Sequence, residues 1–394
     1  MTILANPHRT NQDDTAALDL INQLAGIAPD SALAHARQIR LDATEHTQLT
    51  DQTLFAAQPD SVLTLPLKYF LAHEAALFAQ NEPLSAHYHA LMAPHQIDPQ
   101  TPLIQSALAY LHTISLQPNQ ANKAKTDALV AAGWSPADIV LLAQLITYVA
   151  YQARLVTGLT LLQSTLTQAP LADPEPTQPI KANHWHQHPT TAAGTPAPTA
   201  FTLAQLDWEP WLPTRTAASL SETAAASMKK FGQISSDYFL LLAHQSTLLH
   251  SRTLIDRSVF YTPDGLPRWA RELAAVVVSK TNGCIYCASV HARKAIQYGK
   301  DRQLDVQRLL NTPAEQVLAT GYDDYLNALI DFSASLSATP IQANAAQVQR
   351  LRDLGLTELA LLDLVQSTAF FAWANRLMLS LGEAALPAQT LEQA

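Results

Sequence analysis

Cysteine is nearly absent from this chain: there are two in 394 residues, and they lie three positions apart. So few thiols exclude a secreted disulfide framework. Glycine is sparse as well, eleven in all, and no GxGxxG or GxxxxGK[ST] run occurs. That removes the dinucleotide and P-loop fingerprints, and no cofactor is expected. Charged residues make up only 14% of the chain, with a formal net charge of −9. No basic footprint for nucleic acid exists, nor any attraction to an anionic membrane. The start, MTILANPHRTNQDD, lacks a basic region followed by an apolar core, so no signal peptide is expected and the cytoplasm is the expected compartment. The most apolar stretch, residues 139–162, is interrupted by Gln144, Gln152 and Arg154. It reads as a buried core helix, not as a membrane span.

What is present is alanine, leucine and an apolar fraction of 48%. Runs of β-branched residues are short, so the balance favours helices over sheets and an all-α fold is expected. The length suggests two or three domains. Residues 165–213 change character: nine prolines fall between Pro170 and Pro213, and helical periodicity vanishes. This reads as a proline-rich linker, extended and partly strapped over the surface. Its HWHQH places His184, His186 and His188 at alternate positions, but no cysteine or acidic ligand accompanies them. A solvated linker is the expectation there, with no metal bound.

The halves on either side resemble each other. Residues 107–159 and 328–382 both read as a helix, a break at Pro118 or Pro340, a short helix ending in a Gly turn, and a long apolar helix carrying Arg154 or Arg376. This is an internal duplication, with domains expected at 1–164 and 214–394. Setting His89 against His291 extends the match backward and places Phe70, Glu82 and Ser85 opposite Glu272, Cys284 and Cys287. In that alignment the N-terminal copy keeps the helical frame and loses the thiols.

The thiols sit in NGCIYCASVH, residues 282–291. Pro267 suits a helix start, Thr281–Asn282–Gly283 breaks that helix, and Thr281 or Asn282 is expected to cap a second one that Gly299 closes. Cys284, Cys287 and His291 then stand at i, i+3 and i+7, on one face. A helix N-terminus favours a thiolate. Residues at i and i+3 are close enough for a disulfide, and His291, one turn past Cys287, is placed to exchange a proton with it. Glu272 lies twelve residues before Cys284 and reaches His291 if the two helices form a hairpin. The residues alone leave three readings open: a redox dithiol, which they favour, three ligands of a metal site, or two inert buried thiols. A thioredoxin-type CxxC needs a β-α-β setting that this helical pattern denies.

The pattern Glu272-x11-Cys284-Ile-Tyr-Cys287-x3-His291 resembles the alkylhydroperoxidase D / carboxymuconolactone decarboxylase family. The signature covers about 20 residues, and the duplicated architecture looks like the two-domain peroxidase-related members. The resemblance implies duplicated helical domains of that type and a thiol-dependent peroxidase. Cys287 would be the peroxidatic cysteine and Cys284 the proton donor and resolving thiol, while Glu272 and His291 form the proton relay. It also implies a hydroperoxide substrate, an external dithiol reductant of thioredoxin-like or lipoyl-protein type, and a homo-oligomer. Tyr286 departs from those members that carry a histidine just before the second cysteine. A tyrosine still donates a hydrogen bond but shuttles protons poorly near neutral pH. Two other expectations stand beside this one: a small organic acid lyase or isomerase using Glu272 and His291, and a non-enzymatic redox-sensing oligomeric scaffold.

Overall fold

In the computed structural model the protein is described over residues 19–166, 178–185 and 188–388. It is all-α, as the composition predicts. The N-terminal half contains α1 (Leu20–Leu24), α2 (Ala32–Ile39), α3 (Leu41–Leu54), α4 (Leu65–Phe78), α5 (Glu82–Met92), α6 (Pro102–Leu116), α7 (Lys123–Ala131) and α8 (Pro136–Leu166). The C-terminal half contains α9 (Glu222–Lys230), α10 (Asp237–Leu242), α11 (Ser246–Phe260), α12 (Arg268–Asn282), α13 (Ile285–Tyr298), α14 (Gln303–Asn311), α15 (Asp324–Ser337), α16 (Ala345–Asp353) and α17 (Glu358–Leu381). The strands are short: β1 (Asp207–Pro210) pairs antiparallel with β2 (Gly382–Ala385).

The long helices α8 and α17 pack against each other at the centre. Both are apolar on most faces, which a helix tolerates only when neighbours cover it on all sides. Helix α8 has the length and hydropathy of a membrane span, yet 94% of its most apolar window is buried inside the protein. Gly158 lets the two backbones approach, since a Cβ there would come within 2.6 Å of a Val365 methyl. Around this axis one continuous buried cluster joins residues of both halves, from Ile21 to Leu381. Polar links cross the same boundary. Trp373 Nε1 donates to Gln144 Oε1 at 3.1 Å. Asp363 accepts from Arg40 Nε and from Arg271 Nη2, both at 2.8 Å.

Residues 178–185 and 188–213 run across α12 and α13. Asn183 N–H donates to the Lys280 carbonyl, the Lys280 ammonium lies 3.8 Å from the Phe201 ring centroid, and Ser289 donates to the Ala204 carbonyl. Ala182, Phe201, Leu206, Trp208 and Leu212 are buried. This segment is therefore strapped over the helical hairpin through its scattered aromatics, while His184 and His188 of the HWHQH run stay exposed. His186 and the stretch 167–177 lie outside the described residues.

Candidate active site

The site forms at the hairpin between α12 and α13. Gly283, with φ +74°, ends α12 in a left-handed turn, a conformation that costs glycine nothing. A Cβ there would also strike the His184 carbonyl oxygen at 2.0 Å. Cys284 N–H donates back to the Ser279 carbonyl, and Cys284 itself is the N-cap of α13. Thr281 and Asn282, the expected caps, are instead the last two residues of α12; the Gly283 turn moves the cap two positions onward.

The hairpin brings Glu272 to His291. Oε2 of Glu272 lies 2.6 Å from His291 Nδ1 in a buried contact. A carboxylate only accepts, so Nδ1 donates and Nε2 is left as the basic nitrogen. Oε1 of the same carboxylate accepts from Arg268 Nε at 3.3 Å, and Arg268 is held between the Tyr261 and Tyr298 rings, 4.0 Å from each centroid. Burial pushes the His291 pKa down against the opposing pull of Glu272. Burial would raise Glu272, but the His291 hydrogen bond and charge, with Lys294 and Arg268, hold its carboxyl below the usual value. The pair rests as an anionic glutamate orienting a neutral imidazole.

Both thiols are free and buried. They border different spaces. Cys287 and His291 line a cavity of about 240 Å³, walled by Phe239, Phe370 and Phe371. Cys284 lines a much smaller one, about 30 Å³, beneath Trp185 and Trp208 of the packed segment. Tyr286 and Met378 border both. Burial drives the Cys284 thiol well above its ordinary pKa, and its hydrogen bond to Cys287 adds to this against the amides of Cys287 and Tyr286. Tyr286 is also raised, by burial first and then by proximity to Cys287; it is held as a neutral donor.

Four residues of this site escape the motif. Arg252, Asp256 and Lys294 line the larger cavity. Arg252 is 6% exposed, its guanidinium lies 5.0 Å from the Phe370 centroid and 5.6 Å from that of Trp373, and its Nε has no partner among the described residues. Asp256 is raised by burial, with Lys294, Arg252 and His291 opposing. Arg268 is the fourth. Lys294, seven positions after Cys287, and Arg268, four before Glu272, were recoverable from helical spacing. Arg252 and Asp256 come from α11 and carry no such signal. Among the described residues no group of three or more His, Cys, Asp or Glu side chains is arranged to hold a metal ion.

The N-terminal half repeats the hairpin without the chemistry, one residue out of the register expected from sequence. Gln80, at φ +53°, takes the place of Gly283. Asn81 N–H returns to the Ala76 carbonyl, and Asn81 caps α5. Counting from the caps, Asn81, Leu84 and Tyr88 stand where Cys284, Cys287 and His291 do, and Tyr69 stands for Glu272. The sequence alignment had placed Glu82, Ser85, His89 and Phe70 there. Tyr88 donates to Gln152 Oε1 at 2.6 Å, and Gln152 Nε2 donates to Asp51 at 2.9 Å.

Residues 247–329, which include Glu272, both cysteines, Tyr286 and His291, match the carboxymuconolactone decarboxylase family. It is the family that the motif of this segment resembles. No curated protein matches the chain. Among solved structures it is similar to an alkylhydroperoxidase AhpD core, an uncharacterized peroxidase-related protein from Ralstonia eutropha JMP134. That likeness is 23% identical over 42% of this chain and 85% of the other, with a TM-score of 0.35.

Proposed function

We propose that the protein is a thiol-dependent peroxidase acting on organic hydroperoxides. The observation that carries this reading is the division of the two thiols: Cys287 shares the 240 Å³ aromatic-walled cavity with His291, while Cys284 lies behind it. His291 Nε2 takes the Cys287 proton, with Glu272 fixing the tautomer. The Cys287 sulfur attacks the terminal peroxide oxygen, the O–O bond breaks, and the alcohol leaves with a proton. The resulting sulfenic acid is attacked by Cys284, whose burial favours a protonated thiol until that step; an S–S bond forms and water leaves. An external dithiol then returns two electrons and two protons by thiol–disulfide exchange. The cavity's aromatic walls favour an organic body over bare hydrogen peroxide.

A second reading is favoured by Arg252 and Lys294, whose charges suit a small organic acid. Here Glu272 and His291 serve as acid and base in a lyase or isomerase reaction. One experiment separates the two. With cumene hydroperoxide and dihydrolipoamide or thioredoxin, the wild type turns over and Cys287→Ser does not. Peroxide-treated wild type carries a Cys284–Cys287 disulfide by mass spectrometry. A missing disulfide sinks the peroxidase, and organic-acid turnover that survives loss of both thiols establishes the second reading.

A further inference from the structure

The core handles its buried arginines in two ways. Arg40 and Arg271 share the Asp363 carboxylate. Arg154 of α8 and Arg376 of α17, each 1% exposed, have no carboxylate partner among the described residues. Arg154 turns to the C-terminal end of α15, donating to the carbonyls of Ser337 at 2.7 Å and Ala338 at 2.9 Å, where the helix dipole is negative. Arg376 has less. Nη1 reaches the Ala372 carbonyl and Nη2 the Thr339 hydroxyl, but Nε is buried with no partner among the described residues. A buried cation with an unmet donor is costly, and burial pulls Arg376 down to about 10.

Arg376 lines a cavity of about 220 Å³ that also meets Lys181, Thr281, Asn282 and Thr339. Thr339 Oγ1 accepts from both arginines, at 2.8 and 2.9 Å, so its own proton is free to donate. Glu315 is the one acidic residue of the lining; it is exposed and near His184. The lining is thus a concave set of donors with a net positive charge, separate from the cavity of Cys287.

We propose that this seam between the two halves binds a small oxygen anion, of phosphate or small-carboxylate chemistry, against Arg376, Thr339 and Lys181. The site ties α8 and α17 together and lies directly behind the Thr281–Asn282 end of α12, one residue from the Gly283 turn. It is independent of what the thiols do.

The test uses the full chain in low-salt buffer. Its unfolding midpoint is titrated with phosphate and with malonate, against chloride at matched ionic strength. A saturable rise is expected for an oxyanion and none for chloride. Whichever anion saturates at the lower concentration identifies the source. Arg376→Gln weakens that affinity about tenfold or more, the loss of a charged hydrogen bond, and Arg350→Gln, at the exposed surface of α16, leaves it unchanged. If Arg376→Gln does not fold, Lys181→Gln, at the exposed rim, weakens affinity about threefold, and crystals grown with selenate show anomalous density beside Arg376. Absence of a saturable rise, equal affinity in the variants, or only water beside Arg376 overturns the site.

Discussion

His291 Nδ1 and Glu272 Oε2 lie 2.6 Å apart across the α12–α13 hairpin, and the carboxylate is in turn held by Arg268 between two tyrosine rings. In the proposed peroxidase Glu272 acts through the imidazole, as a positioning residue. Glu272→Gln is expected to lower kcat/KM with hydroperoxide by about 10²-fold, the scale of general-base assistance. The pH profile gives the sharper readout. Wild-type activity should rise with pH along a limb set below 6.5, because burial depresses His291 and only the neutral ring accepts a proton. The Glu272 charge raises His291, so removing the anion moves the variant's limb to still lower pH. An unchanged limb would leave Glu272 with a packing role only.

Tyr286 borders both cavities and is held neutral. A neutral hydroxyl is able to donate but not to relay, so Tyr286→Phe should slow sulfenate formation by no more than about tenfold, the worth of one hydrogen bond. Tyr286→His introduces a group that titrates near neutrality and should accelerate that step. Stopped-flow single turnovers with a sulfenate trap compare them. A large loss in Tyr286→Phe would make the hydroxyl essential.

The helical hairpin and its thiols were legible because they obey short-range rules: helical spacing sets Cys287 and His291 one turn apart, and Gly283 marks the break. The all-α fold followed from composition in the same way. The N-terminal register was not legible. Its turn uses Gln80 at positive φ, a residue that gives no sign of a left-handed turn, so matching His89 to His291 by type slipped by one. Arg252 was hidden for a different reason: it reaches the cavity from α11, and only tertiary packing brings it there. The proline-rich segment was expected to strap partly over the surface, but which of its aromatics meet α12 and α13 was not legible, because no periodicity marks them.

Asp363 is the charge on which two buried arginines depend, and it also accepts from Leu266 N–H at 2.9 Å. Asp363→Ala leaves Arg40 and Arg271 uncompensated in the core. Breaking a buried pair by removing one partner costs about 3–5 kcal/mol, so urea unfolding should show at least that loss. Because Arg40 belongs to the N-terminal half and Arg271 to α12, the two halves should separate more readily in this variant. Limited proteolysis tests that directly. A loss below about 1 kcal/mol would mean that water reaches both guanidinium groups.

Asp51 gives the opposite sign. It lies in the thiol-free hairpin's network, accepting from Gln152, and burial raises its pKa from 3.8 to about 6. Between those two values the folded chain holds a proton that the unfolded chain has released, so this group's contribution falls as pH rises through the window. Above pH 6 the carboxylate is ionised and buried at a net cost. Asp51→Asn keeps an oxygen for Gln152 Nε2 and carries no charge, so it should stabilise the protein at pH 7 by about 1–3 kcal/mol. At pH 3.5 both forms are neutral and the gain should vanish. Chemical denaturation at the two pH values measures the difference, and a destabilised Asp51→Asn at pH 7 would show that the ionised carboxylate is the form this half requires.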